Sequence, residues 1–212
     1  MLHITNKCLI VFIDLSPLYA EKQPYYLGIV SDEVKRLSRL VQSMLSMARM
    51  ESGEFALKPE LFDLREMLCS IVISQEQRIE KLKIDIVGLD ELQGISIKAD
   101  KDLIHQAVYN LVDNAVKFTE EQGRITFTLK TENKQVVFTV KNTGKGIPQK
   151  DLPFVFERFY KVDKSRSASK NSTGLGLYIV KTIITAHGGT ITVSSKENEF
   201  TSFKVTLPSQ NI

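Results

Sequence analysis

The segment Asn110-Leu111-Val112-Asp113-Asn114-Ala115-Val116-Lys117-Phe118-Thr119 constrains the fold more than any other stretch. It reads as a helix with two faces. Asn110, Asn114 and Lys117 stand at i, i+4 and i+7 and share one of them. Leu111, Ala115 and Phe118 stand at the same kind of spacing on a second, apolar face that can bury against a sheet. Two carboxamides and an ammonium in one row suit a hydrated Mg²⁺ and the phosphates it carries, because Mg²⁺ keeps several waters and takes few oxygen ligands from protein. A surface stripe on an amphipathic helix has the same pattern without any ligand, so the neighbouring sequence has to decide.

The chain has 212 residues, enough for one large domain or a medium domain with an appendage. Residues 1–23 contain one short apolar run, Leu9 to Ile13, and Pro17 and Pro24 interrupt anything longer; this segment is left unassigned. From residue 25 to 51 the pattern is regular. Leu27, Val30, Val34, Leu37, Val41, Met44 and Ala48 step alternately by three and four, a coiled-coil seam that outlasts a core helix of ordinary length. Asp32, Glu33, Lys35, Arg36 and Arg39 fill the outer positions. Such a helix needs a partner, from the same chain or from a second subunit. Ser52-Gly53 ends it, with Gly53 as the cap.

Glu54 to Asp63 reads as an extended linker closed by Pro59. Asp63, with Glu66 three residues on, starts a helix that runs to about Leu82. Ile84–Val87 and Ile95–Lys98 alternate as strands do, and Asp100 caps the helix that carries Asn110 to Thr119. Arg124–Lys130 and Gln135–Lys141 form a hairpin around Thr131-Glu132-Asn133-Lys134. An apolar helix follows from Tyr178 to Ala186, then a final hairpin from Thr190–Ser195 and Ser202–Leu207. This order predicts an α+β fold: a two-layer sandwich with helices on one face of a mixed sheet, preceded by a long coiled-coil-type helix.

Two glycine pairs bracket a long polar segment. Gly144 and Gly146 follow a strand directly; Gly174 and Gly176 open a helix, where free backbone N–H groups can meet phosphate. Either pair alone is ordinary turn punctuation. Together with the asparagine helix they point to a nucleotide. The intervening segment carries Phe154, Phe156, Phe159 and Tyr160 at one end and Lys161, Lys164, Arg166 and Lys170 along it. It reads as a lid over a polyanion. A net charge of +3 gives no argument for nucleic acid. Cys8 and Cys69 have no metal-ligand spacing, no apolar run reaches the length of a membrane span, and a reducing cytoplasm fits.

Asn110-x-x-x-Asn114-x-x-Lys117, Asn142-x-Gly144-x-Gly146, Phe154-x-Phe156-Glu157-Arg158-Phe159 and Gly174-x-Gly176 occur in that order. The set resembles the catalytic, ATP-binding domain of two-component sensor histidine kinases, of the Bergerat fold, over about residues 60–208. Residues 24–53 resemble the second helix of that family's dimerisation hairpin. The resemblance implies ATP and Mg²⁺ as cofactors, with Asn114 as the main metal ligand and Asn110 assisting. Lys117 would reach phosphate oxygens, and Asn110 and Lys117 would be the catalytic pair. Asn142 would accept the adenine amino hydrogen. Gly144 and Gly146 would let the backbone lie along the nucleotide, and Ile147 and the region of Tyr109 would line the adenine pocket. Phe156 and Phe159 would seat the lid; Gly174, Leu175, Gly176 and Leu177 would close the site near the triphosphate. A response regulator is the implied protein partner. The implied assembly is a homodimer, or a heterodimer with a complete kinase, through residues 25–51.

Two departures qualify this. The family has aspartate where this chain has Asn142, which forfeits charge assistance and predicts weaker ATP binding. The family's phosphoacceptor is a histidine followed by an acidic residue and then Thr-Pro; His3, His105 and His187 do not match it. The expectation is therefore a truncated protein-histidine kinase core, cytoplasmic or part of a membrane-anchored kinase, that does not autophosphorylate within its own chain. The alternative is a non-catalytic ATP-binding or dimerising regulator of an intact kinase. A chaperone- or repair-type ATPase fits less well, since it needs a glutamate where this chain has Asn110.

Overall fold

The computed structural model describes residues 25–31, 34, 37–38, 41, 57–162 and 173–209. The chain divides into two units, residues 1–45 and 46–212. In the first unit the described residues are helical. Leu27, Val30, Val34, Leu37 and Val41 of the expected seam are all exposed. Met44, Ala48, Gly53, residues 1–23 and the outer charges Asp32, Glu33, Lys35, Arg36 and Arg39 lie outside the described residues.

The second unit corrects the sequence reading at its start. Where a linker was expected, Pro59–Asp63 forms strand β1, antiparallel to β3 (Ser96–Asp100). Phe62, Ile97 and Ala99 supply its buried side, and Pro59 stands at the first position of the strand, where a missing N–H is tolerated. Asp63 then caps helix α1 (Leu64–Ile73), its Oδ1 accepting from the N–H of Arg65 at 2.7 Å and of Glu66 at 3.1 Å. The helix does not reach Leu82. It breaks at Ser74-Gln75, and a short α2 (Glu76–Lys81) follows. Ser70 and Ser74 donate their hydroxyls to the carbonyls of Met67 and Ile71, three residues back, which competes with helix continuation. Gln75 turns inward and is 5% exposed.

Strand β2 (Asp85–Val87) does not pair with β3. It runs parallel to β4 (Arg124–Glu132). β4 and β5 (Gln135–Thr143) form the expected hairpin, with Asn133 and Lys134 at positive φ in its turn. β6 (Thr190–Lys196) and β7 (Phe200–Pro208) form the last one. The sheet order is β2-β4-β5-β7-β6, with only the β2–β4 pair parallel, so the sheet is mixed as predicted.

Helices α3 (Lys101–Phe118) and α4 (Gly176–Ala186) pack beside each other and against this sheet. α3 buries Leu103, Ile104, Ala107, Val108, Leu111, Val112, Ala115 and Val116; α4 buries Ile179, Val180, Ile183 and Ile184. The sheet offers Ile125, Phe127, Leu129, Phe138, Val140, Phe203, Val205 and Leu207. Each fully buried large side chain contributes about 1.5–3 kcal/mol. Phe118 departs from its expected place on the apolar face. It is 49% exposed at the helix end, with the Lys117 ammonium 5.4 Å above its ring.

Candidate functional site

Asp100 fixes the start of α3 by accepting the N–H of Leu103 at 3.2 Å. From there the helical period carries Asn110, Asn114 and Lys117 to the side away from the core, all three half-buried. α4 begins opposite the first of them: a Cβ on Gly176 would lie 3.8 Å from the Asn110 carboxamide. The N-cap residue of α4, Leu175, makes no side-chain cap bond. A helix start has no helical acceptors for its first N–H groups, and such an end, here beside Asn110, attracts anions. Leu175 is 0% exposed, so its side chain belongs to the core and only its backbone can face a ligand; Leu177 is half-buried.

The second wall comes from the end of β5. Asn142 lies in the inward row of the sheet, between Ile125 and Thr201, and is 4% exposed. Its Nδ2 donates to the Thr143 carbonyl at 3.0 Å. That bond leaves the amide oxygen as an acceptor. Gly144 has a φ of +147°, and a Cβ there would collide with the carbonyl oxygen of Phe118, the last residue of α3. The turn beyond is stitched to the β6–β7 hairpin. Asn198 N–H donates to Lys145 O at 2.7 Å, and Ile147 N–H donates to Ser195 Oγ at 2.8 Å. A Cβ on Gly146 would strike the Lys196 carbonyl. The close backbone approaches at these two glycines are thus to protein carbonyls.

The aromatic segment is anchored at both stems. Phe156 meets Phe203 edge-on at 6.3 Å between ring centres. Tyr160 donates its hydroxyl to Asp151 Oδ1 at 2.6 Å, which holds the phenol proton above the ordinary tyrosine value. Phe159, itself at positive φ and exposed, gives its N–H to Gly174 O at 3.0 Å. Arg158 donates to Tyr178 Oη at 2.6 Å and stacks over that ring, which fastens the segment to the first turn of α4. Lys164, Arg166 and Lys170 lie outside the described residues.

One neighbour of the stripe escaped the sequence reading. Asp113, between Asn110 and Asn114, accepts from Arg78 Nη1 at 2.6 Å. The only signal in the sequence was its helical position, three residues after Asn110. The histidines are accounted for otherwise. His105 is exposed and stacks beside the half-buried Tyr109, their ring centres 6.5 Å apart. His187 closes α4, with Nε2 accepting the Asp100 N–H at 3.1 Å and Nδ1 facing Ile183 O at 2.8 Å. His3 lies outside the described residues. Among the described residues no group of three His, Cys, Asp or Glu side chains could hold a metal, and no helix is long and apolar enough to cross a membrane.

Residues 99–211 match the family described as histidine kinase-, DNA gyrase B-, and HSP90-like ATPase. The chain belongs to this ATPase family. The matched range holds the asparagine stripe of α3, both glycine pairs and the aromatic segment Phe154–Tyr160. Among curated relatives, the sensor protein SrrB of Staphylococcus aureus is 36% identical over 182 residues, 86% of this chain and 31% of that protein. The sensor histidine kinase WalK of Bacillus subtilis is 32% identical over 187 residues, 87% of this chain and 30% of that protein. The chain thus spans about three-tenths of the length of these relatives. The catalytic domain of histidine kinase ThkA is 30% identical with a TM-score of 0.61, covering 72% of this chain and 96% of that domain. ThkA in complex with the response regulator TrrA matches with a TM-score of 0.73 at 26% identity, covering 99% of this chain and 57% of that one. This ATPase-family domain is therefore similar to the ATP-binding catalytic domains of sensor histidine kinases.

Proposed function

We propose that residues 60–208 are the ATP-binding catalytic core of a two-component sensor histidine kinase, transferring the γ-phosphoryl group of ATP to a histidine outside this unit. The observation that carries the reading is the meeting of the Asn110 carboxamide, on the helix that also bears Asn114 and Lys117, with the start of α4 at Gly176. Phosphoryl transfer asks the protein for positioning and charge stabilisation, with little covalent chemistry. The parts suit that demand. The first-turn N–H groups of α4 and the Lys117 ammonium take phosphate oxygens. The Asn142 amide oxygen, fixed in orientation by the bond to Thr143, accepts the adenine amino hydrogen.

The donor set fits Mg²⁺ brought in with the nucleotide, and not a metal caged by protein alone. Asn110 and Asn114 supply neutral oxygens, and the phosphates supply the charge. When bound, Mg²⁺ supplies neutralisation of the β- and γ-phosphate charge. His187 is engaged at both ring nitrogens and His105 lies on the site helix itself, so neither serves as acceptor. The ThkA–TrrA complex supports a response regulator as the downstream partner. The exposed Leu27, Val30, Val34, Leu37 and Val41 support pairing with a second copy or a complete kinase.

The test uses labelled ATP with this chain alone and with an acceptor-bearing kinase of the SrrB or WalK type whose own ATP site has been disabled by mutation. Label on the partner's histidine is the expected result. Saturable Mg-ATP binding with no label in either arm would favour a non-catalytic regulator, the reading to which the loss of carboxylate at Asn142 lends weight. No nucleotide binding at all would overturn both.

A further inference from the structure

We infer that Arg78 is a positioning residue of this site: it neutralises and holds Asp113, so that the α3 stripe meets a polyphosphate without a bare carboxylate beside it. The inference rests on the nucleotide reading above. At 3.6 residues per turn, Asp113 lies about 40° around the helix from Lys117 and about 60° from Asn110. A carboxylate in that place repels the same phosphates that Lys117 attracts. The Arg78 guanidinium sits on it at 2.6 Å.

Arg78 is not a wandering surface side chain. The same Nη1 donates to Gln75 Oε1 at 2.8 Å, and the Arg78 N–H donates to Gln75 O at 2.9 Å. Gln75 is itself 5% exposed. The break between α1 and α2 therefore has a consequence at the site: it turns Gln75 inward and gives the guanidinium a fixed acceptor facing α3. As a fold-stabilising ion pair this one is worth little, because the Arg78 and Asp113 side chains are 45% and 32% exposed. Its place beside the phosphate-facing stripe is what gives it a use.

The experiment titrates Mg-ATP by calorimetry into the wild-type chain and into Arg78→Gln, Arg78→Lys, Asp113→Asn and the double variant Arg78→Gln/Asp113→Asn, with a thermal melt of each. Arg78→Gln should bind about five-fold more weakly, the order expected for one uncompensated charge about 8 Å from a polyphosphate at intermediate dielectric. Arg78→Lys should stay close to wild type, and Asp113→Asn should bind at least as tightly. The double variant should return to within about two-fold of wild type, since removing the carboxylate removes the need for the arginine. The deficit of Arg78→Gln should shrink between about 50 and 500 mM salt. Unchanged affinity in Arg78→Gln, or a double variant as weak as Arg78→Gln, overturns the inference and leaves a simple α2–α3 tether. A wild-type chain that fails to bind Mg-ATP overturns the nucleotide reading instead.

Discussion

Gly174 and Gly176 lie two residues apart and respond to opposite demands, so replacing each by alanine separates fold from site. Gly174 has a φ of +73°, and a Cβ there would lie 2.7 Å from the Phe159 carbonyl carbon and 2.8 Å from its Cα. Both are backbone atoms that cannot swing aside. Ordinary contact begins at 3.4 Å, so the two segments must part by 0.7 Å (3.4 − 2.7). The left-handed conformation costs alanine about 1–2 kcal/mol. Losing the Phe159–Gly174 hydrogen bond adds about 1 kcal/mol. The total of about 2–3 kcal/mol corresponds to a melting temperature about 4–12 °C lower for a domain of this size. Gly176 has no positive φ and is the first residue of a helix, where alanine is unstrained and gains at most the ~0.5–1 kcal/mol of a helix interior. Among the described residues its Cβ reaches only the Asn110 carboxamide, at 3.8 Å. Gly176→Ala should therefore melt at or above wild type yet bind Mg-ATP about ten-fold more weakly, a loss of about 1.4 kcal/mol. Circular dichroism melts and calorimetric titrations on both variants decide the matter. A Gly174→Ala protein that melts within about 1 °C of wild type, or two variants that lose stability and binding in parallel, would refute the reasoning.

Three further outcomes are expected. Asn142→Asp removes the donor to Thr143 O and sets a carboxylate against that carbonyl, so the ligand-free domain should lose about 1–3 kcal/mol. The same change should tighten Mg-ATP binding through a charge-assisted bond; equal affinity for the two proteins sinks Asn142 as the base acceptor. His187→Ala should lower the urea midpoint by an amount equivalent to about 1–3 kcal/mol, with partial recovery in His187→Gln, because the Asp100 N–H loses its acceptor. Tyr160 should be among the last tyrosines to ionise in an alkaline absorbance titration. Its raised value favours the protonated phenol in the fold, so the anchoring of the aromatic segment is present below the ordinary tyrosine value and is lost as pH rises through the folded one. Protection of that segment from proteolysis should differ between wild type and Tyr160→Phe at neutral pH and converge at high pH; the same difference at both pH values would count against the role of the hydroxyl.

What could be read from the chain alone was periodic and local. The two faces of α3 as far as Ala115, the β4–β5 turn and the Asp63 and Asp100 caps depend on neighbours within a few residues, and each stands where expected. β1 was missed because Pro59 and the acidic residues around it read as linker, while its partner strand begins 33 residues after β1 ends (96 − 63). Phe118 was misplaced because the apolar stripe was carried past the point where α3 leaves the core. The glycines illustrate the limit best. Their spacing pointed to a ligand, yet Gly144, Gly146 and Gly174 are required by the carbonyls of Phe118 and Lys196 and by the backbone of Phe159, contacts that no spacing reveals. Arg78 and Asp113 are 35 residues apart and equally invisible.

The position of β7 has a consequence for the order in which the site matures. β7 is the last strand in the chain yet the second from one edge of the sheet, and it covers the open side of β5 along its whole length, from Gln135–Pro208 to Thr143–Phe200. A nascent chain that has emerged as far as α4 already carries both asparagines, Lys117 and all four glycines. It still leaves Asn142 on a bare rim, without Thr201 beside it or the Ser195 anchor that β7 holds for Ile147. Long-range pairing of this kind is slow to form. Competence for nucleotide should therefore arrive late in synthesis and all at once, and a chain released before residue 200 should bind none.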